Sequence, residues 1–201
     1  MISDNLPARH HSKLSDPNEK TILTERLRLV PLSLDDSESY TKYFNNINVI
    51  KRFSFEVALP FYLENAIEDI NHYCNSDHIS FGIKLNTNPQ ELIGMITFYQ
   101  DELTANKYWL GYWLGEPFWN KRIMTEVMRG CLNYLFCQED VESIGSIVDY
   151  DNIASIKIMN NFKFRLVEIV KNDHHINCTE ETVDCNYYEL TKNEYLKYFS
   201  N

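Results

Sequence analysis

Between Lys107 and Phe162 the chain changes its hydrophobic period several times, and few folds accommodate that order. Lys107–Leu114 (Lys-Tyr-Trp-Leu-Gly-Tyr-Trp-Leu) has the alternation and aromatic content of a strand. After a short loop at Gly115–Phe118, residues 119–137 place Ile123, Met124, Val127, Met128, Cys131, Leu132, Leu135 and Phe136 at helical spacing. Ser143–Val148 reads as another strand and Asn152–Phe162 as a second helix. A helix that opens where a strand has just ended turns unpaired N–H groups and a positive dipole end towards solvent. Such an end is a ready cradle for phosphate. A pyrophosphate there implies a nucleotide-derived ligand and an enzyme.

The flanking segments extend the pattern. Thr24–Leu32 alternates as a first strand, and Asp35 and Asp36 open a helix reaching about Asn46. A second helix follows Pro60 and turns Phe61, Ala66, Ile67, Ile70 and Tyr73 to the core. Ile79–Leu85 and Glu91–Tyr99 form a hairpin about the turn Asn86-Thr87-Asn88-Pro89. Phe164–Lys171 and Thr182–Leu190 form a closing hairpin, and Thr191–Phe199 a last helix. This order predicts an α/β fold, with one mixed central sheet flanked by helices over residues 22–201. Residues 1–21 are polar, hold Pro7, Pro17 and the pair His10-His11, and read as a flexible N-terminal arm.

Charge and composition exclude several classes. The formal net charge of −10 argues against tight nucleic-acid binding, which needs clustered Lys and Arg, and favours a cationic acceptor. No apolar run approaches the ~20 residues that a bilayer demands, and the N-terminus lacks a basic-then-apolar leader. Cys74, Cys131, Cys137, Cys178 and Cys185 are an odd, unpatterned set, which fits reduced thiols in a cytoplasmic protein. His174 and His175 with Cys178 and Cys185 match no standard zinc spacing, so no metal is expected.

The motifs, in order, are Gly111-Tyr112-Trp113-Leu114-Gly115, Phe118-Trp119-Asn120-Lys121, Thr125-Glu126 and Asp149-x-x-Asn152-x-x-Ser155. With the order of elements, they resemble the GNAT superfamily of N-acetyltransferases. The likeness is greatest to the RimJ/RimL type, which acetylates protein N-terminal amines and related small amines. It runs from Thr24-Glu25-Arg26-Leu27-Arg28-Leu29 to Tyr188-Glu189-Leu190-Thr191.

That resemblance implies a single-domain GNAT fold and acetyl-CoA as co-substrate. The strand end at Trp113 and Leu114 would run beside the pantetheine arm. Trp119, Asn120, Lys121, Arg122, Ile123 and Met124 would wrap the pyrophosphate, with Thr125 starting the helix. Asn152 and Ser155 would lie near the thioester, Ser155 donating to the departing thiolate and Asn152 orienting the ligands. The acceptor would be a primary amine, a small molecule or a peptide N-terminus, and an aromatic-rich strand region leaves a homodimer open. Acetyl transfer by direct attack needs a neutral amine, a polarised carbonyl and a proton for the thiolate, and no covalent enzyme intermediate.

The chain departs from the family at informative places. The usual Trp-Gly-Lys-Gly-x-Ala loop has Asn120, Arg122 and Met124 at its small positions, and Phe162-Lys163-Phe164 replaces Leu-Gly-Phe. Trp109 stands where a glutamate is often found. Glycine serves such loops because it accepts positive φ and close approach. Arg122 offers a guanidinium in exchange. These changes leave a second reading open, a catalytically degenerate GNAT-like binding module with weak or no acetyl-CoA binding. On the residues alone, Asn152 or Asp151 also reads as a helix N-cap, Glu116 as a surface carboxylate and Trp109 as core.

Overall fold

Leu27 and Leu29 are fully buried and alternate with half-buried Arg28 and Val30, the signature of a strand with one face on a core. In the computed structural model, which describes residues 21–53, 57–137, 141–176 and 181–199, this strand is β2 (Leu27–Val30), preceded by β1 (Ile22–Leu23). The single first strand expected over Thr24–Leu32 is thus broken at Thr24–Arg26. The chain continues through α1 (Ser37–Phe44), α2 (Ile47–Ile50), α3 (Leu63–Asn75), β3 (Ile79–Leu85), β4 (Asn88–Gln100) and β5 (Lys107–Leu114). It ends with α4 (Ile123–Phe136), β6 (Ser143–Asp149), α5 (Ile153–Asn161), β7 (Arg165–Ile176), β8 (Glu181–Thr191) and α6 (Lys192–Phe199). A single helix was expected over 35–46, but Leu34–Asp36 is a 3-10 turn and a separate short helix, α2, follows at Asn46.

The eight strands form one sheet in the order β1-β2-β3-β4-β5-β6-β8-β7. Every neighbouring pair is antiparallel except β5–β6. Two cores lie on opposite faces. Val127, Met128, Cys131, Leu132, Leu135 and Phe136 of α4 pack on Leu29, Phe81, Ile83 and Ile96. On the other face, Tyr40 and Phe44 of α1 and Ala66 and Ile70 of α3 pack against Leu92, Met95 and Trp113.

The feature that makes a site is the short β5–β6 ladder. It pairs Lys107 with Ser143, Tyr108 with Ile144 and Trp109 with Gly145, and then the strands diverge. At the last pair the Trp109 indole lies over Gly145, where a β-carbon would stand 2.8 Å from the ring. The Trp109 Nε1–H donates to Asp101 Oδ2 at 2.6 Å, which holds the ring there. Trp109 is therefore half-buried at the fork rather than core filling. Beyond it, among the described residues, the β6-facing edge of β5 has no strand partner.

Candidate active site

The diverging strands open a cleft of about 1220 Å³ through the sheet. One end is closed by the loop between β5 and α4. Gly115–Phe118 makes a 3-10 turn, and the Trp119 Nε1–H donates to the Leu114 carbonyl at 2.6 Å, folding the loop over the end of β5. Asn120 (φ 60°) and Arg122 (φ 58°) then both adopt left-handed backbone. These are the two positions at which the family resemblance had glycine. The conformation is kept with residues that pay steric strain for it, less for Asn than for Arg. Arg122 is the N-cap residue of α4 and supplies no side-chain cap. The N–H groups of Ile123, Met124 and Thr125 are consequently without intrahelical partners at the end of the cleft. The helix begins at Ile123 and not, as expected, at Thr125.

The break in the first strand serves this loop. Glu126 in the first turn of α4 accepts from the Arg26 backbone N–H (2.8 Å), Arg26 Nε (2.7 Å) and the Thr24 hydroxyl, while Arg26 Nη1 donates to the Lys121 carbonyl (3.0 Å). Partial burial opposes ionisation of Glu126, but these donors outweigh it and hold its carboxyl below the usual glutamate range.

At the far side of the cleft, Asp149 ends β6. Its Oδ1 lies 2.6 Å from His174 Nδ1 and accepts from the Cys185 thiol at 3.8 Å, and its Oδ2 accepts from Arg52 Nη1 at 3.1 Å. Arg52 also grips Asp151 through both terminal nitrogens. His174 Nε2 donates to the Phe53 carbonyl at 3.1 Å. The turn from β6 into α5 is thereby tied to the segment after α2 and to the closing hairpin. It delivers Asn152, whose Oδ1 accepts from the Ser155 N–H at 3.2 Å and caps α5.

Asp149, His174 and Cys185 group their ligand-type atoms within 4.8 Å of one another. The 2.6 Å between Asp149 and His174 is nevertheless shorter than the about 3.3 Å separating two ligands of a tetrahedral zinc with bonds near 2.0–2.1 Å. The contact is a hydrogen bond. Cys178 lies outside the described residues.

Trp113, Leu114, Trp119, Asn120, Arg122, Ile123, Met124, Thr125, Asn152 and Ser155 all border the cleft. Lys121 does not; its ammonium lies over the Phe118 ring at 5.9 Å, and its carbonyl serves Arg26. Ile123 and Met124 send their side chains into the core, and Trp113 packs its indole against Tyr40 and Phe44. From these three a ligand meets chiefly backbone. Glu116, considered as a surface carboxylate, accepts from the side chains of Asn46 (2.6 Å) and Asn48 (3.3 Å) and joins α2 to the loop.

Sequence reasoning gave Tyr112 no role of its own. Its hydroxyl is buried at the cleft wall without an aligned hydrogen-bond partner. Burial pushes the phenol up to about 12, with the nearby Ser155 side chain pulling the other way. A buried orphan hydroxyl beside Ser155, and three free N–H groups in the first turn of α4, suit the thiol end and the phosphate end of one long ligand.

The model of the acetyltransferase (GNAT) domain matches residues 26–165. The chain belongs to the GNAT acetyltransferase family. Residues 26–165 run from the Arg26 clamp through the β5–α4 loop to the first residue of β7. A relative in Bacillus licheniformis, the uncharacterized N-acetyltransferase p20, is 23% identical over 180 residues, 88% of this chain and 98% of its own. The GNAT-family acetyltransferase of Bacillus anthracis superposes with a TM-score of 0.76 at 22% identity, covering 87% of this chain and 100% of that one. The RimL ribosomal L7/L12 α-N-protein acetyltransferase, solved with coenzyme A, gives a TM-score of 0.72 at 16% identity over 87% of this chain and 99% of its own. This GNAT enzyme takes acetyl-CoA as co-substrate, and the orphan donors just described fit it. Catalytic degeneracy finds no support.

Proposed function

We propose that this GNAT enzyme transfers the acetyl group of acetyl-CoA to a primary amine, on a protein N-terminus or a small molecule, by direct attack within the β5–β6 cleft. The observation that carries the reading is the left-handed pair Asn120 and Arg122, which keeps the phosphate-loop backbone despite the loss of both glycines. The N–H groups of Ile123, Met124 and Thr125 hold the pyrophosphate, and the Arg122 guanidinium adds a charged donor. The free edge of β5 from Gly111 to Leu114 offers backbone groups to the amides of the pantetheine arm. The amine nitrogen forms its bond to the acetyl carbon as the carbon–sulfur bond breaks. Tyr112 and Ser155 donate hydrogen bonds to the sulfur as it takes up negative charge, and the amine's surplus proton passes to solvent. Asn152, through its cap, positions the helix end that carries Ser155.

Calorimetric titration of the purified chain with acetyl-CoA, and with desulfo-CoA in parallel, tests this reading. One-site binding in the micromolar range is expected. Absence of binding at millimolar ligand would overturn it.

A further inference from the structure

Three carboxylates line the cleft: Asp69, Asp149 and Asp151. Arg52 pairs with both Asp149 and Asp151. Asp69, on α3, has no Lys or Arg partner among the described residues. Its Oδ2 accepts from the Tyr40 hydroxyl at 3.2 Å, and the basic group that acts on it is the His72 imidazole, one turn on along α3. Partial burial raises its carboxyl above the usual aspartate range, the Tyr40 bond opposing this, so the site is partly desolvated and a cation there would be felt strongly.

The surroundings suit an alkylammonium chain. The Tyr73 and Tyr99 hydroxyls lie 3.4 Å apart, and the Tyr99 ring is buttressed edge-on by His78 at 4.5 Å. Tyr99 pairs across the β4–β5 ladder with Trp109, and Thr97 with Gly111, so all four share one sheet face. Tyr112 and the α4 core lie on the opposite face. The fork between β5 and β6 joins the two, so a ligand entering from the α4 side would expose its reacting end towards the aromatic wall. Aromatic faces and a carboxylate with no Lys or Arg partner among the described residues are groups that hold a protonated amine.

We infer that Asp69, with Tyr73 and Tyr99, forms a subsite for a second, protonated nitrogen of the acceptor, and that the enzyme selects aliphatic di- or polyamines. The inference rests on the acetyl-transfer reading above. The reacting nitrogen is neutral when it attacks, and the second stays protonated and is held by Asp69 at the α3 side of the cleft.

The test compares 1,4-diaminobutane with n-butylamine, which present the same primary amine with and without the second charge. With saturating acetyl-CoA, thiol release should favour the diamine by roughly tenfold or more in kcat/KM, the range of one charge-assisted contact. Asp69→Asn, whose amide oxygen can still accept from Tyr40, should bring that ratio to within about threefold of unity. Tyr40→Phe, which removes the hydrogen bond and keeps the charge, should retain the preference. A peptide with lysine at its second position, assayed beside its norleucine analogue, separates a peptide source of the second cation from a free polyamine. A wild-type ratio near one, or a ratio unmoved by Asp69→Asn, overturns the inference. Spermidine is also titrated calorimetrically into protein saturated with coenzyme A, where Asp69→Asn should weaken binding roughly tenfold. That reading decides the subsite even if neither amine is acetylated. Failure to bind acetyl-CoA counts instead against the acetyl-transfer reading.

Discussion

His174 Nδ1 lies 2.6 Å from Asp149 Oδ1, and through that contact the closing hairpin holds the turn that presents Ser155 to the cleft. Both residues are buried, at 7% and 5% exposure, and the other ring nitrogen is engaged by the Phe53 carbonyl. His174→Phe would remove the imidazole from both Asp149 Oδ1 and that carbonyl. A loss of about 3 kcal/mol in urea unfolding is expected, with Arg52 retaining part of the network. The turnover number should fall with it, because the start of α5 loosens, while KM for acetyl-CoA changes less. An unchanged urea midpoint would show that the pair carries no net stability.

Lys163 takes φ 62° just after α5, where its N–H donates to Asn160 and that of Phe164 donates to Met159, closing the helix in a Schellman arrangement. The residue is exposed, so its side chain offers little to offset a left-handed backbone. Lys163→Gly should stabilise the fold by about 1 kcal/mol, a rise of roughly 2–4 °C in Tm by calorimetry. Arg122 shares this backbone region but borders the cleft, at the proposed phosphate site. Arg122→Gly should relieve similar strain and yet weaken acetyl-CoA binding several-fold in titration. Tighter binding by the glycine variant would remove the guanidinium from the phosphate contacts.

Tyr112→Phe and Ser155→Ala should each lower kcat, by roughly tenfold or more, with a smaller effect on KM for acetyl-CoA. Burial raises the Tyr112 phenol to about 12, so it remains a proton-bearing donor well above the range in which an ordinary tyrosine ionises. The kcat profile should therefore show no falling limb near pH 10 that Tyr112→Phe abolishes. A limb at that pH, lost in the variant, would mean that the hydroxyl is hydrated in the working enzyme.

The depressed Glu126 carboxyl links the phosphate loop to pH. A carboxylate held below its unfolded value contributes stability that is present above the unfolded value and is lost as the pH falls through the folded one. Wild type and Glu126→Gln should therefore differ at pH 7 by about 1 kcal/mol, a modest figure because Arg26 is 44% exposed, and should converge as the pH falls below the ordinary glutamate range. Acetyl-CoA affinity should drop in the variant, since Arg26 loses the anchor from which it holds the Lys121 carbonyl. Chemical denaturation across pH, with acetyl-CoA titration at pH 7, measures both.

Much of this architecture was legible in residue order. Alternation located β3 to β6, helical spacing located α4 with its buried face intact, and Asn152 announced itself as a cap. Boundaries were less legible where side chains answer to distant partners. Thr24-Glu25-Arg26 reads as continuous strand, yet it turns because Glu126, a hundred residues later, takes the Thr24 hydroxyl and the Arg26 guanidinium. The α4 start was missed on both sides, too early at 119 by hydrophobic spacing and too late at Thr125 by the family resemblance, since a left-handed Arg carries no propensity that marks it.

The sequence by itself determined the order and kind of the elements, the loop that ends in a helix N-terminus, and the absence of charge suited to nucleic acid. Those properties are local, set by hydrophobic period and backbone preference. Only the tertiary structure decided that β5 and β6 part after Trp109, that Tyr112 is left with a buried hydroxyl beside Ser155, and that Arg52 neutralises two cleft carboxylates while Asp69 has no such partner among the described residues. Each of these depends on which side chains meet across tens of residues, and burial and pairing free energies arise from those meetings, not from neighbours along the chain.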